Sequence, residues 1–342
     1  MVNDPTAAGS ARDTDWEGVR LHVITGKGGT GKTTVAAAFA LALAAGGRKV
    51  LLVEVEGRQG IAQVFDLPQL PYAERKIAVA PGGGEVYALA IDPEEALLEY
   101  LEMFYGLKRM GKALDRIGMI DFATTIAPGL RDVLVTGKTS EAVRRRDRSG
   151  KRAYDAVVMD APPTGRIVRF LNVTHEVAGL ARVGPIKNHA EMVRGVIASP
   201  ETAVHFVALL EEMPVQETLD GIAELRAAGL PVGGIVINMV RPVFLSEPVL
   251  AAARENRFDS GELALGLKAA GIVDESGDAS LIAEALTQEV IEHAKRVELE
   301  RREREMLASA GVPCYELPLL ADGVDRAGLY ELAEALRAQG AA

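Results

Sequence analysis

The segment Gly26-Lys27-Gly28-Gly29-Thr30-Gly31-Lys32-Thr33-Thr34 constrains this chain more than any other. It fits the phosphate-binding pattern GxxxxGK(S/T), and a second lysine, Lys27, follows its first glycine directly. An apolar run, Val19–Ile24, precedes it, and a small-residue helical pattern, Val35–Ala45, follows. Strand, glycine loop and helix is the context the pattern requires. Glycines allow the tight turn and let backbone N–H groups approach phosphate oxygens. The helix N-terminus adds partial positive charge. In this frame Lys32 reaches the β- and γ-phosphates and Thr33 ligates Mg²⁺. A glycine-rich turn that fits by chance would leave the flanking strand and helix unexplained.

Apolar runs recur between helical stretches, at Val19–Thr25, Val50–Val55, Val86–Ile91, Ala156–Asp160, Ala203–Leu210, Gly234–Asn238 and Cys314–Leu317. Most are continuous rather than alternating, as in parallel strands covered on both faces. The alternation predicts an α/β fold, a doubly wound, mostly parallel sheet. Residues 1–17 are polar and turn-rich and are expected to be a disordered arm, with a single P-loop domain over 18–342. Two stretches interrupt the alternation. Over about 93–148, Leu97, Leu101, Phe104 and Tyr105, then Leu130, Val133 and Leu134, recur at helical spacing. A second helical or irregular insertion covers about 173–199. Together they are expected to form an inserted α-helical subdomain at the sheet edge. A third stretch, Pro242–Ala310, ends in a charged helix around Leu281–Leu307. Its Arg301, Arg302, Glu303, Arg304 and Glu305 are expected to be a solvated face, and the basic run Arg144–Arg152 a solvated helix end.

Two acidic strand ends follow the loop. Val50–Val55 runs into Glu54-Val55-Glu56-Gly57-Arg58-Gln59-Gly60, and the fourth run closes with Asp160-Ala161-Pro162-Pro163-Thr164-Gly165. Ligands of doubly wound folds sit beyond the strand C-termini, so such carboxylates face the γ-phosphate side. Asp160 suits a Mg²⁺ ion reached through water. The Pro–Pro–Thr–Gly loop can sense the γ-phosphate by rearranging. One acidic strand end is weak evidence; two, in this order after a phosphate loop, are strong together.

Composition excludes several classes. The net charge of −10 argues against general nucleic-acid affinity, which needs clustered Lys and Arg. The one cysteine, Cys314, rules out an internal disulfide and fits a reducing cytoplasm. The longest apolar run, Val35–Ala45, is too short to span a bilayer. The histidines His22, His175, His189, His205 and His293 show no ligand spacing with carboxylates or cysteines.

The loop GKGGTGKTT resembles the deviant Walker A motif of the SIMIBI-class ATPases, in which the second lysine, here Lys27, contacts phosphates across a dimer interface. Within that class, Asp160-Ala161-Pro162-Pro163-Thr164-Gly165-Arg166, with Arg169-Phe170-Leu171 after it, resembles the switch II of the ArsA/GET family, which reads roughly D-T-A-P-T-G-H-T-L-R. The MinD/ParA branch has a shorter D-x-P-P-G. Pro128-Gly129 resembles the P-G of the family's helical subdomain. The resemblance covers most of residues 19–340 and extends to actinobacterial ArsA-like ATPases that come as paired paralogues. It implies ATP and Mg²⁺ as ligands and a dimer, either of two copies or with a paralogous ATPase. It implies that Asn238 reads adenine and that Leu317-Pro318 packs on it. No N-K-x-D motif, which reads guanine, is present.

The departures qualify what the resemblance implies. The family's switch I reads D-P-A-H-S, where this chain has Glu56-Gly57-Arg58-Gln59-Gly60. Glu56 falls where the family's water-positioning aspartate stands. Its extra methylene would shift water by about 1 Å, which can cost on the order of 100-fold in rate. Slow hydrolysis is the expectation, and an ATP-gated interaction protein that scarcely hydrolyses is an alternative. A MinD/ParA-type positioning ATPase is another, but the C-terminal Leu329–Ala342 carries Glu331 and Glu334, which suit an anionic membrane poorly. Cys314, placed near a strand on the nucleotide side, cannot build a three-thiolate metalloid site alone. No CxxC pair offers a zinc staple. Met103, Met110, Met119 and Met192 in the insertions either line a groove for a hydrophobic or membrane-protein cargo or fill the subdomain core.

Overall fold

The computed structural model describes residues 14–105, 128–180, 185–273 and 278–342. Its strands are β1 (Leu21–Gly26), β2 (Lys49–Glu54), β3 (Arg75–Val79), β4 (Glu85–Ala90), β5 (Ala156–Asp160), β6 (Thr202–Ala208), β7 (Val232–Val240) and β8 (Cys314–Pro318). They form one 8-stranded sheet in the order β3-β4-β2-β5-β1-β6-β7-β8. Every neighbouring pair is parallel except β3 and β4. The sheet is doubly wound, and β1 stands between β5 and β6, where a crevice opens beyond the strand C-termini.

The sheet carries a separate apolar core on each face. Along β1, Leu21 and Val23 join one core and Ile24 the other, as strand alternation requires. Helices cover both faces, so the central strands are apolar throughout. One face is covered by α1 (Lys32–Ala44) and the C-terminal α11 (Arg326–Ala338), whose apolar side chains share a core. α1 is buried from Val35 to Ala44, and alanines and one phenylalanine let it lie close between sheet and α11. The other face is covered by α4 (Pro128–Arg144), α5 (Thr164–Leu180), α6 (Pro185–Ile197) and α7 (Glu212–Ala227). α3 (Pro93–Tyr105) packs against α4, and α4 against α5 and α6. The short α2 is Gly60–Val64, and α8 (Glu247–Arg254), α9 (Ser260–Ala269) and α10 (Ala279–Ala308) follow β7. No helix of the described residues is long and apolar enough to cross a membrane.

β3 is the strand that the apolar runs do not reveal. It starts with Arg75-Lys76, pairs on one side only, and needs no continuous apolar face because it is the sheet edge. Most of the basic run is exposed, as expected, as are Arg302 and Glu305 of the charged helix, but several of these side chains are paired. Arg301 pairs with Glu247, Arg302 with Glu212 and Arg304 with Glu316, while Glu303 is buried. In the basic run, Arg145 pairs with Glu74 and Arg152 with Glu201. Cys314 is exposed but opens β8, at the end of the sheet away from the phosphate loop. Of the methionines, Met192 packs partly buried against a core, and Met110 and Met119 lie outside the described residues.

The expected disordered arm 1–17 is corrected at its end, and residues 1–13 lie outside the described ones. The Asp15 N–H donates to Gly340 at 3.1 Å, and the Tyr315 hydroxyl donates to the Asp15 carboxylate at 2.6 Å. Trp16 meets the His205 ring edge-on at 4.8 Å. Behind it His205 and His22 are buried with rings stacked 5.3 Å apart, and burial lowers His22 to about 3, so both are neutral. The Gly234 N–H donates to His205 Nδ1 at 3.1 Å, which leaves Nε2 to carry the proton toward His22. Trp16→Ala is expected to lower stability by about 2 kcal/mol, because a half-buried indole and its edge-on ring contact are lost. Chemical denaturation checks this, and an unchanged midpoint would contradict it.

Candidate functional site

The site forms where β1, β2 and β5 end side by side. β1 stops at Gly26 with φ 153°, and an added Cβ there would lie 2.3 Å from the Val207 carbonyl, so the turn has no room for a side chain. The loop then rises into α1 through Gly31 at φ 83°, the helix N-cap, which makes no side-chain capping bond. The first N–H groups of α1 therefore face the crevice unclaimed by a cap. Space above Gly28 and Gly29 is open, since a Cβ on either would touch nothing within 4 Å. Gly29, Gly31, Lys32, Thr33, Glu54 and Asp160 line a cavity of about 310 Å³.

Register brings the two acidic strand ends together. Glu54 of β2 is the direct partner of Asp160 of β5, and Ile24 of β1 is the partner of Asp160 on its other side. The Thr33 hydroxyl donates to Asp160 Oδ2 at 2.6 Å. Asp160 is raised from 3.8 to about 6, chiefly by burial and then by the nearby Glu54 and Glu56, with Thr33 and Lys32 opposing. Burial pulls Lys32 below its ordinary value, against the attraction of Asp160 and Glu56. Its ammonium donates to the Lys27 carbonyl at 3.2 Å, folded over the loop.

The remaining residues expected at the site are each engaged within the chain. Lys27 pairs with Glu217 on α7. Glu56 lies 3.7 Å from Arg58 and 3.8 Å from Arg166. Asn238 is buried and its amide donates to the Thr30 carbonyl at 2.9 Å, so it clamps the loop from behind. The Thr30 hydroxyl donates to the Lys27 carbonyl at 2.9 Å and closes the loop on itself. The Leu317 side chain is wholly buried in the core, while Pro318 is exposed at the end of β8. Thr34 borders the cavity one residue past Thr33.

Glu217 carries no signal in the sequence. It lies on an ordinary helix, 190 residues from its partner, and only the fold brings it to Lys27. Arg166 stands within the switch-like segment, yet its reach to Glu56 depends on how α5 leaves β5. The donor set fits Mg²⁺. A hydroxyl and buried carboxylates are hard oxygen ligands, and a buried Glu54 Oε1 has no hydrogen-bond partner. Among the described residues no group of three or more His, Cys, Asp or Glu could hold a metal by itself, so a bound Mg²⁺ would need phosphate and water oxygens to complete its shell.

Comparison with known proteins agrees with this geometry. The family model described as anion-transporting ATPase matches residues 19–198. The chain is 54% identical over 323 residues to a protein named ATPase BagA in Mycobacterium tuberculosis, with 94% of each covered. It is 30% identical over 251 residues to an arsenical pump-driving ATPase of Acidiphilium multivorum, covering 67% of this chain and 41% of that protein. It is 24% identical over 255 residues to ATPase GET3 of Kluyveromyces lactis, covering 65% and 72%.

The raised Asp160 carboxyl has a definite consequence for stability. A carboxyl that binds its proton more tightly when folded adds stability below its unfolded value of 3.8, and that contribution is lost as pH rises through about 6. Between pH 4 and 7 the nucleotide-free protein is expected to lose up to about 3 kcal/mol relative to Asp160→Asn. Denaturant unfolding of both proteins across this range checks it, and parallel pH profiles would contradict it.

Proposed function

The chain belongs to the anion-transporting ATPase family, and from that premise we propose that it is a slow, Mg²⁺-dependent cytoplasmic ATPase that works as a nucleotide-gated dimer. The observation that carries the proposal is the Thr33 hydroxyl held on Asp160 beneath an open glycine cradle. The N–H groups of the loop and of the first turn of α1 bind the phosphates, and Lys32 unfolds from the Lys27 carbonyl to neutralise their β- and γ-oxygens. Thr33 and Asp160 would hold Mg²⁺, Asp160 through water, and the ion would neutralise charge that develops on the phosphates. Glu56 orients the attacking water once it is released from Arg58 and Arg166. Lys27, freed from Glu217, completes the site of the facing subunit. Charge stabilisation of this kind carries most of phosphoryl-transfer catalysis.

The second reading, an ATP-gated interaction protein with little turnover, draws on Glu56, which is longer than aspartate and shared between two arginines. Against a membrane-positioning ATPase, Leu329, Leu332, Ala333 and Leu336 of α11 are buried in the core with α1 and so are not free to enter a lipid surface. A hydrophobic or membrane-protein cargo and a paralogous partner chain remain compatible with the dimer.

ATP turnover separates these readings. Lys32→Ala is expected to lose ATP binding, and Glu56→Gln to bind ATP while turning over about 100-fold more slowly than wild type. Glu56→Gln at the wild-type rate would contradict the role of Glu56, and tight ATP binding without wild-type turnover would favour the second reading. Light scattering with ATP and Mg²⁺ is expected to show a dimer; monomer alone, both by itself and beside a paralogous chain, would contradict the dimer.

A further inference from the structure

Glu54 closes β2 directly opposite Asp160. Its side chain lines the phosphate cavity and yet is only 2% exposed. Its Oε2 accepts the Ile61 N–H at 3.1 Å, in the first turn of α2. Its Oε1 is buried and has no hydrogen-bond partner. A buried carboxylate oxygen without a donor is costly, so native sites rarely leave one unless a ligand or ion completes it. The charged groups around the cavity sharpen the imbalance. Asp160 and Glu56 add negative charge beside Glu54. Lys32 is the half-buried ammonium beside them, while the Arg58 side chain is 76% exposed and lies against Glu56. Phosphates would bring further negative charge to the same place.

A divalent cation resolves both problems, because Mg²⁺ prefers hard oxygen donors and keeps several waters that need acceptors. We propose that Glu54 is a second carboxylate of the cation site, accepting from the metal's water shell on one oxygen and holding the Ile61 backbone on the other. This rests on the ATP and Mg²⁺ reading above and adds to it a residue beyond Thr33 and Asp160. It gives one side chain two duties. A bound cation would give Oε1 its partner, while Oε2 holds the Ile61 N–H in the first turn of α2, directly after the loop that carries Glu56. Glu54 is thus a positioning residue, which couples metal occupancy to the placement of Glu56.

The test is Mn²⁺ binding, followed by electron paramagnetic resonance, to the purified full chain with a non-hydrolysable ATP analogue. Glu54→Gln keeps the shape and an acceptor for Ile61 but removes the charge. It is expected to weaken Mn²⁺ binding by about 10- to 100-fold, while analogue binding in chelator is unchanged. Glu54→Asp keeps the charge and is expected to keep most of the Mn²⁺ affinity. Wild-type Mn²⁺ affinity in Glu54→Gln would overturn the assignment of Glu54 alone. An Asp variant that binds the analogue but loses Mn²⁺ as fully as the Gln variant would overturn it too. A wild-type chain that binds no analogue would overturn the ATPase reading and this proposal with it.

Discussion

The hydrogen bond from the Thr33 hydroxyl to the Asp160 carboxylate ties the first turn of α1 to the end of β5. Much of the site depends on it. It fixes where the helix N-terminus points, and it holds a buried carboxylate beside the cradle in spite of the cost of burial. The register of β2, β5 and β1 does the rest, because three strand ends at one level place Glu54, Asp160 and the glycine loop around one cavity. Parallel strands make this arrangement economical, since their C-termini all open on the same side.

The charged side chains around the cradle are held by partly exposed partners. Lys27 rests on Glu217 and Glu56 between two arginines, while the Lys32 ammonium folds back onto a loop carbonyl. Each of these pairs is partly exposed, and exposed pairs contribute little. Phosphates offer Lys27 and Lys32 stronger partners than they have in this chain. In the proposed mechanism a nucleotide would rearrange the site by exchange of partners, without breaking the core beneath it. Asn238 differs, because it is buried and bound to the loop itself. It serves the shape of the cradle through one amide N–H.

The central strands are legible in the sequence because burial on both faces demands unbroken apolar runs such as Val50–Val53 and Ala156–Met159. The phosphate loop is legible because glycine is required where φ is positive and where Val207 leaves no room. β3 escapes notice because an edge strand can carry Arg75 and Lys76. Trp16 looks like part of a polar arm because its partners, His205 and the neighbourhood of Tyr315, lie hundreds of residues away. Glu217 and the clamp by Asn238 are hidden for the same reason, as tertiary pairings leave no local pattern.

The loop, the end of β2 and the end of β5 are expected to answer nucleotide as one unit. Hydrogen exchange of the backbone amides, with and without a non-hydrolysable ATP analogue and Mg²⁺, tests it most directly. Protection is expected to rise together in residues 27–34, in residues 56–61 and at Ala161, Thr164 and Gly165. Protection confined to residues 27–34, with both strand-end segments unchanged, would contradict it.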